Sequence, residues 1–157
     1  LIAVTGVMLA RWRRWDWKPR NRGRDMAHWI SEACTGCGAC AHICPVEAVT
    51  GQRGEPHQID PARCIDCGVC GRVCRVGAVR TAQDEVVERL ARAVWPRPKF
   101  DLRDCTACKI CVFTCPVGAI QLDGQGWPSL TRPAACIGCG LCAQCCPVGV
   151  IDMAVKA

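Results

Sequence analysis

The chain has 157 residues and 17 cysteines, about 11% of its length, with a formal net charge of +6, 50% hydrophobic residues and eight aromatic side chains (six Trp, two Phe). Cysteine at that density points to disulfides, zinc sites or iron–sulfur clusters, and an odd count disfavours a closed disulfide framework. So few large side chains also exclude a generous core, because two units of roughly 60 residues each are marginal without a staple.

Residues 1–30 read as a basic, Trp-rich N-terminal arm. Leu1 to Ala10 is apolar, and Arg11-Trp12-Arg13-Arg14-Trp15-Asp16-Trp17-Lys18 follows at once. Ten apolar residues fall short of the roughly 20 that cross a bilayer. The charges follow the apolar stretch, the reverse of a secretory signal or twin-arginine leader. Three readings stand open. The arm inserts into a partner subunit, or residues 1–25 rest on a membrane surface with Trp at the headgroups, or the true start is Met26.

Residues 31–81 hold the first cysteine-rich module. Its motifs are Cys34-x2-Cys37-x2-Cys40-x3-Cys44-Pro45 and Cys64-x2-Cys67-x2-Cys70-x3-Cys74, the latter followed by Arg75 instead of proline. Residues 82–98 connect the modules. From Ala82 to Trp95, Val86, Val87, Leu90, Ala91 and Val94 fall near helical spacing, which predicts an amphipathic packing helix ended by Trp95-Pro96-Arg97-Pro98. Residues 99–157 form the second module, with Cys105-x2-Cys108-x2-Cys111-x3-Cys115-Pro116 and Cys136-x2-Cys139-x2-Cys142-x3-Cys146-Pro147. Within it, Ala119 to Asp123 alternates and reads as a strand of a small hairpin.

The motifs start at 34, 64, 105 and 136, in steps of 30, 41 and 31. Equal outer steps mark two internally duplicated modules. Zinc ribbons use CxxC pairs far apart and need no third cysteine three residues on, so four copies in register favour iron–sulfur clusters. Two-residue gaps let a tight loop wrap one cluster face with its N–H groups toward the sulfurs. Gly36, Gly38, Gly68, Gly138 and Gly140 permit the backbone angles this requires. The third and fourth cysteines are four apart and share one helical face.

On these motifs, residues 34–80 and 105–153 each resemble a bacterial ferredoxin with two 4Fe-4S clusters. The resemblance implies an α+β fold of two tandem, cluster-stabilised βαββαβ modules with crosswise ligation. Cys34, Cys37, Cys40 and Cys74 would hold one cluster, and Cys64, Cys67, Cys70 and Cys44 the second. Cys105, Cys108, Cys111 and Cys146 would hold the third, and Cys136, Cys139, Cys142 and Cys115 the fourth. Cys145, beside Cys146, is left as a spare thiol. A narrower stretch, Pro45-Val46-Glu47-Ala48-Val49 through Glu55-Pro56-His57-Gln58-Ile59-Asp60 to Cys64, is similar to the ferredoxin domain at the end of flavin subunits of NADH-linked hydrogenases and related bifurcating complexes.

Other signals are weaker. Gly36-x-Gly38-x-x-Ala41 and Gly138-x-Gly140-x-x-Ala143 fit a dinucleotide fingerprint, but cluster cysteines interrupt both and no βαβ unit surrounds them. His28, His42 and His57 read as isolated, with His42 in solvent. Sixteen thiolates and four cluster dications take the formal +6 to about −2. Setting aside the +5 of residues 1–30, the cluster-bearing body carries about −7, which points away from nucleic acid and toward redox partners with basic faces. The expected function is relay of single electrons between a flavoprotein, hydrogenase-like or other oxidoreductase subunit and an acceptor, with no catalytic residue of its own. Its expected place is the cytoplasm, at a membrane face or within a larger complex. The rival readings are a redox-sensing or regulatory protein, for which no DNA-binding helix-turn-helix is evident, and a catalytic iron–sulfur enzyme, which needs an open coordination position.

Overall fold

The computed structural model describes residues 27–155. The basic arm as far as Met26, with the three readings attached to it, lies outside the described residues.

One order of elements runs twice. The first half contains β1 (Trp29–Ile30), α1 (Ala39–Ile43), β2 (Val49–Thr50), β3 (Gln58–Ile59), α2 (Val69–Val73) and β4 (Val79–Arg80). The second contains β5 (Arg97–Phe100), α3 (Ile110–Thr114), β6 (Ile120–Leu122), β7 (Pro128–Leu130), α4 (Leu141–Gln144) and β8 (Ile151–Ala154). Each half closes on itself through two antiparallel pairs. β1 pairs with β4 through Trp29↔Arg80 and Ile30↔Val79, and β2 pairs with β3 through Val49↔Ile59. In the second half β5 pairs with β8 and β6 with β7. The expected strand at Ala119–Asp123 is β6. The outer pair joins the chain before one motif to the chain after the other, so the two motifs of each half are laced together.

The helices are single turns, far too short to stand alone. Each starts directly after a residue in the left-handed region, at Gly38, Gly68, Lys109 and Gly140. Packing on the third cysteine of each motif holds them. Cys40 and Cys70 form a buried group with Val49 and Val79, and Cys111 and Cys142 form its counterpart with Ile120 and Ile151. A third group, Val69, Trp95 and Ile137, lies between the halves. Among the described residues the largest fully buried side chains are two valines, Val69 and Val79. At roughly 2 kcal/mol apiece, a core this thin needs a further source of stability. No helix among the described residues is long and apolar enough to cross a membrane.

The helix expected over Ala82–Trp95 is not formed. β4 instead turns back through Asp84, which takes φ 64°, and Arg80 bridges Val86 in antiparallel fashion. The Val87 N–H donates to Val79 O at 2.9 Å. Only Arg92–Val94 coils, as one 3-10 turn. The apolar spacing was ambiguous, and the adjacent β-branched Val86 and Val87 prefer the extended form that the edge of β4 offers. Arg75 changes little. Cys74 ahead of it has φ −69° and ψ 118°, against −66° and 118° for Cys44 ahead of Pro45.

Val87 lies flat on Gly71 of α2, where a Cβ would overlap the Val87 side chain. Gly71→Ala should therefore lower stability by about 1–3 kcal/mol, and because the overlap includes the Val87 Cβ, adding Val87→Gly should relieve more of it than adding Val87→Ala. Anoxic thermal unfolding followed by circular dichroism reads both. An unchanged midpoint for Gly71→Ala would contradict this packing.

Candidate metal centres

Each motif carries left-handed backbone at the same three places. The residue two after the first cysteine is Gly36, Asp66, Ala107 or Gly138, with φ between 50° and 66°. The second is the residue that precedes each helix. The third, three beyond the fourth cysteine, is Glu47, Gly77, Gly118 or Gly149. Glycine supplies most of these positions because a Cβ there costs roughly 1–2 kcal/mol. Gly36 has a second reason, since a Cβ would run into the backbone of Gly54 and Glu55.

These turns aim N–H groups at sulfur. Gly36 N–H donates to Cys34 Sγ at 3.5 Å, and Asp66 N–H to Cys64 Sγ at 3.4 Å. Farther along, Ala48, Ala78 and Ala119 each donate to the cysteine four residues back, Cys44, Cys74 and Cys115, at 3.2 Å. All three alanines are fully buried, so a larger side chain would lift the amide from the sulfur. Such amides favour the thiolate form and tune any bound centre. The alanines were not singled out from sequence, although their identical offset after the fourth cysteine was there to be read.

The cysteines gather around voids. One, partly open to solvent, is lined by Cys44, Cys64, Cys67 and Cys70, with Val49, Ile59 and Val69. Another is lined by Cys105, Cys108, Cys111 and Cys146, with Phe100 and Ile151. Each void unites three cysteines of one motif with the fourth of its partner motif. The other two groups show in pairwise contacts. Cys34 and Cys37 both act on Cys40, and Cys74 packs on the core that contains it. Cys115 and Cys136 both act on Cys139 and Cys142.

The donor set fits an iron–sulfur cluster. All seventeen cysteines are free thiols, and soft thiolate ligands in apolar walls suit iron and sulfide. Among the described residues no three His, Cys, Asp or Glu side chains meet around one ion. The sulfurs instead surround a space that a cluster's own atoms would fill.

Electrostatics points the same way. Burial pushes the Cys70 and Cys142 thiols up to about 12 and Cys67 to about 11, with neighbouring cysteines adding to each. Burial also raises Cys40, Cys64, Cys111 and Cys139. Thiolates are therefore disfavoured in these walls until positive charge enters, and metal binding must release protons.

Two of the three histidines are packed rather than isolated. His28 is buried, its Nδ1 2.5 Å from Asp66 Oδ1 though not aligned for a hydrogen bond, and its backbone N–H serves Cys64. His57 is buried against Gly51, with Nδ1 3.1 Å from Glu55 O. His42 is exposed, as expected. Cys145 caps α4 and meets the Thr114 side chain, whereas Cys146 lines the second void.

Comparison with known proteins agrees with this chemistry. Residues 33–78 and 63–119 match a family described as a 4Fe-4S dicluster domain, and residues 97–147 match a second family of the same description. The pyruvate-flavodoxin oxidoreductase of Trichormus variabilis is 27% identical over 104 residues, 64% of this chain and 7% of that protein. The mitochondrial NADP(+) pyruvate dehydrogenase of Euglena gracilis is 30% identical over 98 residues, 60% of this chain and 4% of that protein. The NADP-reducing hydrogenase subunit HndC of Solidesulfovibrio fructosivorans is 54% identical over 24 residues, 15% of this chain and 5% of that protein. The chain thus spans less than a tenth of these relatives. A chain of the formate dehydrogenase, heterodisulfide reductase and formylmethanofuran dehydrogenase complex from Methanospirillum hungatei aligns with TM-score 0.42 and 20% identity, covering 83% of this chain and 51% of that one.

The voids separate the two adjacent thiols by experiment. Cys146→Ser should cost one cluster's iron and absorbance, and Cys145→Ser should cost none. Cys74→Ser should likewise disturb the centre beside Cys40, about 30 residues away. If Cys145→Ser loses a cluster while Cys146→Ser keeps all, the roles are reversed.

Proposed function

Because the chain belongs to the 4Fe-4S dicluster domain family, we propose that it is an electron-transfer protein or subunit, relaying single electrons through four 4Fe-4S clusters between redox enzymes. Cys34, Cys37, Cys40 and Cys74 form the first ligand set, and Cys64, Cys67, Cys70 and Cys44 the second. Cys105, Cys108, Cys111 and Cys146 form the third, and Cys136, Cys139, Cys142 and Cys115 the fourth. The observation that carries the reading is the pair of voids, each lined by three cysteines of one motif and the last cysteine of its partner. Residues 31–81 and 99–157 are the two modules, joined by 82–98.

When bound, such a cluster takes up or gives away one electron with no bond made to a substrate. The chain does the rest. Its cysteines set the positions, the amides of Gly36, Ala48, Asp66, Ala78 and Ala119 stabilise negative charge on sulfur, and the apolar walls limit water. With sixteen cysteines engaged, the protein acts as a carrier rather than an enzyme. Its partners are a flavoprotein or another oxidoreductase subunit, met in the cytoplasm, with residues 1–25 serving attachment to a complex or membrane surface.

Protein purified without oxygen should contain about 16 iron and 16 sulfide per chain, four of each per cluster. Removing them should unfold the chain, since its own core is thin. Zinc in place of iron, or a total near four metals, would sink the reading.

The isolated protein should accept electrons from a strong reductant yet fail to oxidise NADH unless a flavoprotein is added. That coupled rate should fall as salt rises past 0.1 M, where screening shortens steering to about 10 Å. Steady NADH oxidation by the chain alone would show a catalytic site that this reading does not contain.

A further inference from the structure

The two halves meet on a small face, and that face divides the second cysteine of each motif into two kinds. Cys37 and Cys108 are exposed, whereas Cys67 and Cys139 pack against the buried trio of Val69, Trp95 and Ile137. The trio takes one residue from each half and one from the connection. Trp95 is only 3% exposed, and its Nε1–H donates to Leu90 O at 3.0 Å.

Arg72 of α2 ties this face together. Its Nη2 donates to Cys67 O at 2.5 Å within its own half. Its Nη1 reaches the other half, donating to Gly138 O at 3.2 Å and Ile137 O at 3.4 Å. The guanidinium carbon stands 5.8 Å from the centre of the Trp95 ring. From the connection, Leu90 N–H donates to Arg72 O at 3.3 Å. The fit is close on the far side too, where a Cβ on Gly138 would stand 2.6 Å from Pro96 O.

We propose that Arg72 is a positioning residue that clamps the Cys67 loop onto the Cys139 loop, making this face the crossing for electrons between the halves. The proposal rests on the cluster reading above. It orders the relay by space rather than by sequence, since the crossing joins the second and fourth motifs and not the second and third. Each passage moves one electron. The giving half is oxidised by one, the receiving half is reduced by one, no bond forms or breaks, and Arg72 keeps its protons. The incoming electron comes from a reduced flavoprotein or another low-potential iron–sulfur donor.

The chemistry of the clamp requires arginine. A guanidinium fork spans three carbonyl oxygens on two loops and stacks on an aromatic ring, which a lysine ammonium cannot do at once. Its fixed positive charge also lies between two sulfur-bearing loops, Cys67 and Cys139 both sensing it, and so opposes the repulsion that would part them.

The test uses the full chain, purified without oxygen, as wild type, Arg72→Lys and Arg72→Gln. Hydrogen exchange should quicken at least tenfold in residues 90–95 and 134–139 in both variants. The amides of β2, β3, β6 and β7 should keep their rates. In the reduced protein, magnetic coupling between the halves should be lost while coupling within each half persists at unchanged iron content. Unchanged exchange and coupling in Arg72→Gln would overturn the clamp, as would full retention of both in Arg72→Lys. Equal loosening of the hairpins would overturn it as well, by showing a general loss of fold. A chain found without iron and sulfide would instead strike the cluster reading, and hydrogen exchange would still judge the clamp.

Discussion

Sulfur held away from water governs this molecule. The third cysteine of every motif is buried in a group of small aliphatic side chains. Desolvation there opposes ionisation, yet a thiolate is what a metal centre needs. The chain offers two compensations of its own, short amide-to-sulfur hydrogen bonds and, at the meeting of the halves, one arginine. The larger compensation has to come from iron, which is why folding and cluster binding belong to one equilibrium. Helices of a single turn and strands of two to four residues make sense only on that footing.

The repeated left-handed turns are how a short peptide meets this demand. A loop that reverses twice within five residues brings successive N–H groups to one side, where sulfur lies. Glycine is the easy way to do so, but Asp66, Ala107, Lys109 and Glu47 take the same conformation in their motifs. The loop geometry is thus imposed by the surroundings as well as by local preference. The small buried alanines act in concert, because close approach of the backbone to sulfur leaves room for a methyl group and little else.

The contact between the halves has a different character. It is built on one buried tryptophan, a valine, an isoleucine and two arginines, Arg72 and Arg92, the latter donating to Ala134 O at 3.3 Å, with Gln144 Nε2 donating to Ile65 O at 3.4 Å nearby. A face built on carbonyl contacts and a stacked ring fixes the spacing of the two halves with few residues, as the relay proposed above would require. The exposed second cysteines, Cys37 and Cys108, leave the outward corners of the two halves open to partners.

Much of this was legible beforehand because cysteine spacing is local chemistry. Four motifs at regular steps announced the donor type, the duplication and the hairpin at Ile120–Leu122. What the sequence could not decide depended on contacts between distant residues. Val86, Val87 and Leu90 fit a helical stripe as well as an extended edge, and only Gly71, on another element, made room for the second. His28 was a lone histidine until folding set it beside Asp66. Arg72 stands inside the second motif with nothing in its spacing to mark it. Its role arises from Gly138, 66 residues away, whose carbonyl comes within reach only after the two halves have docked. The donor type is written in short-range spacing, whereas which cysteines face one another is a property of packing.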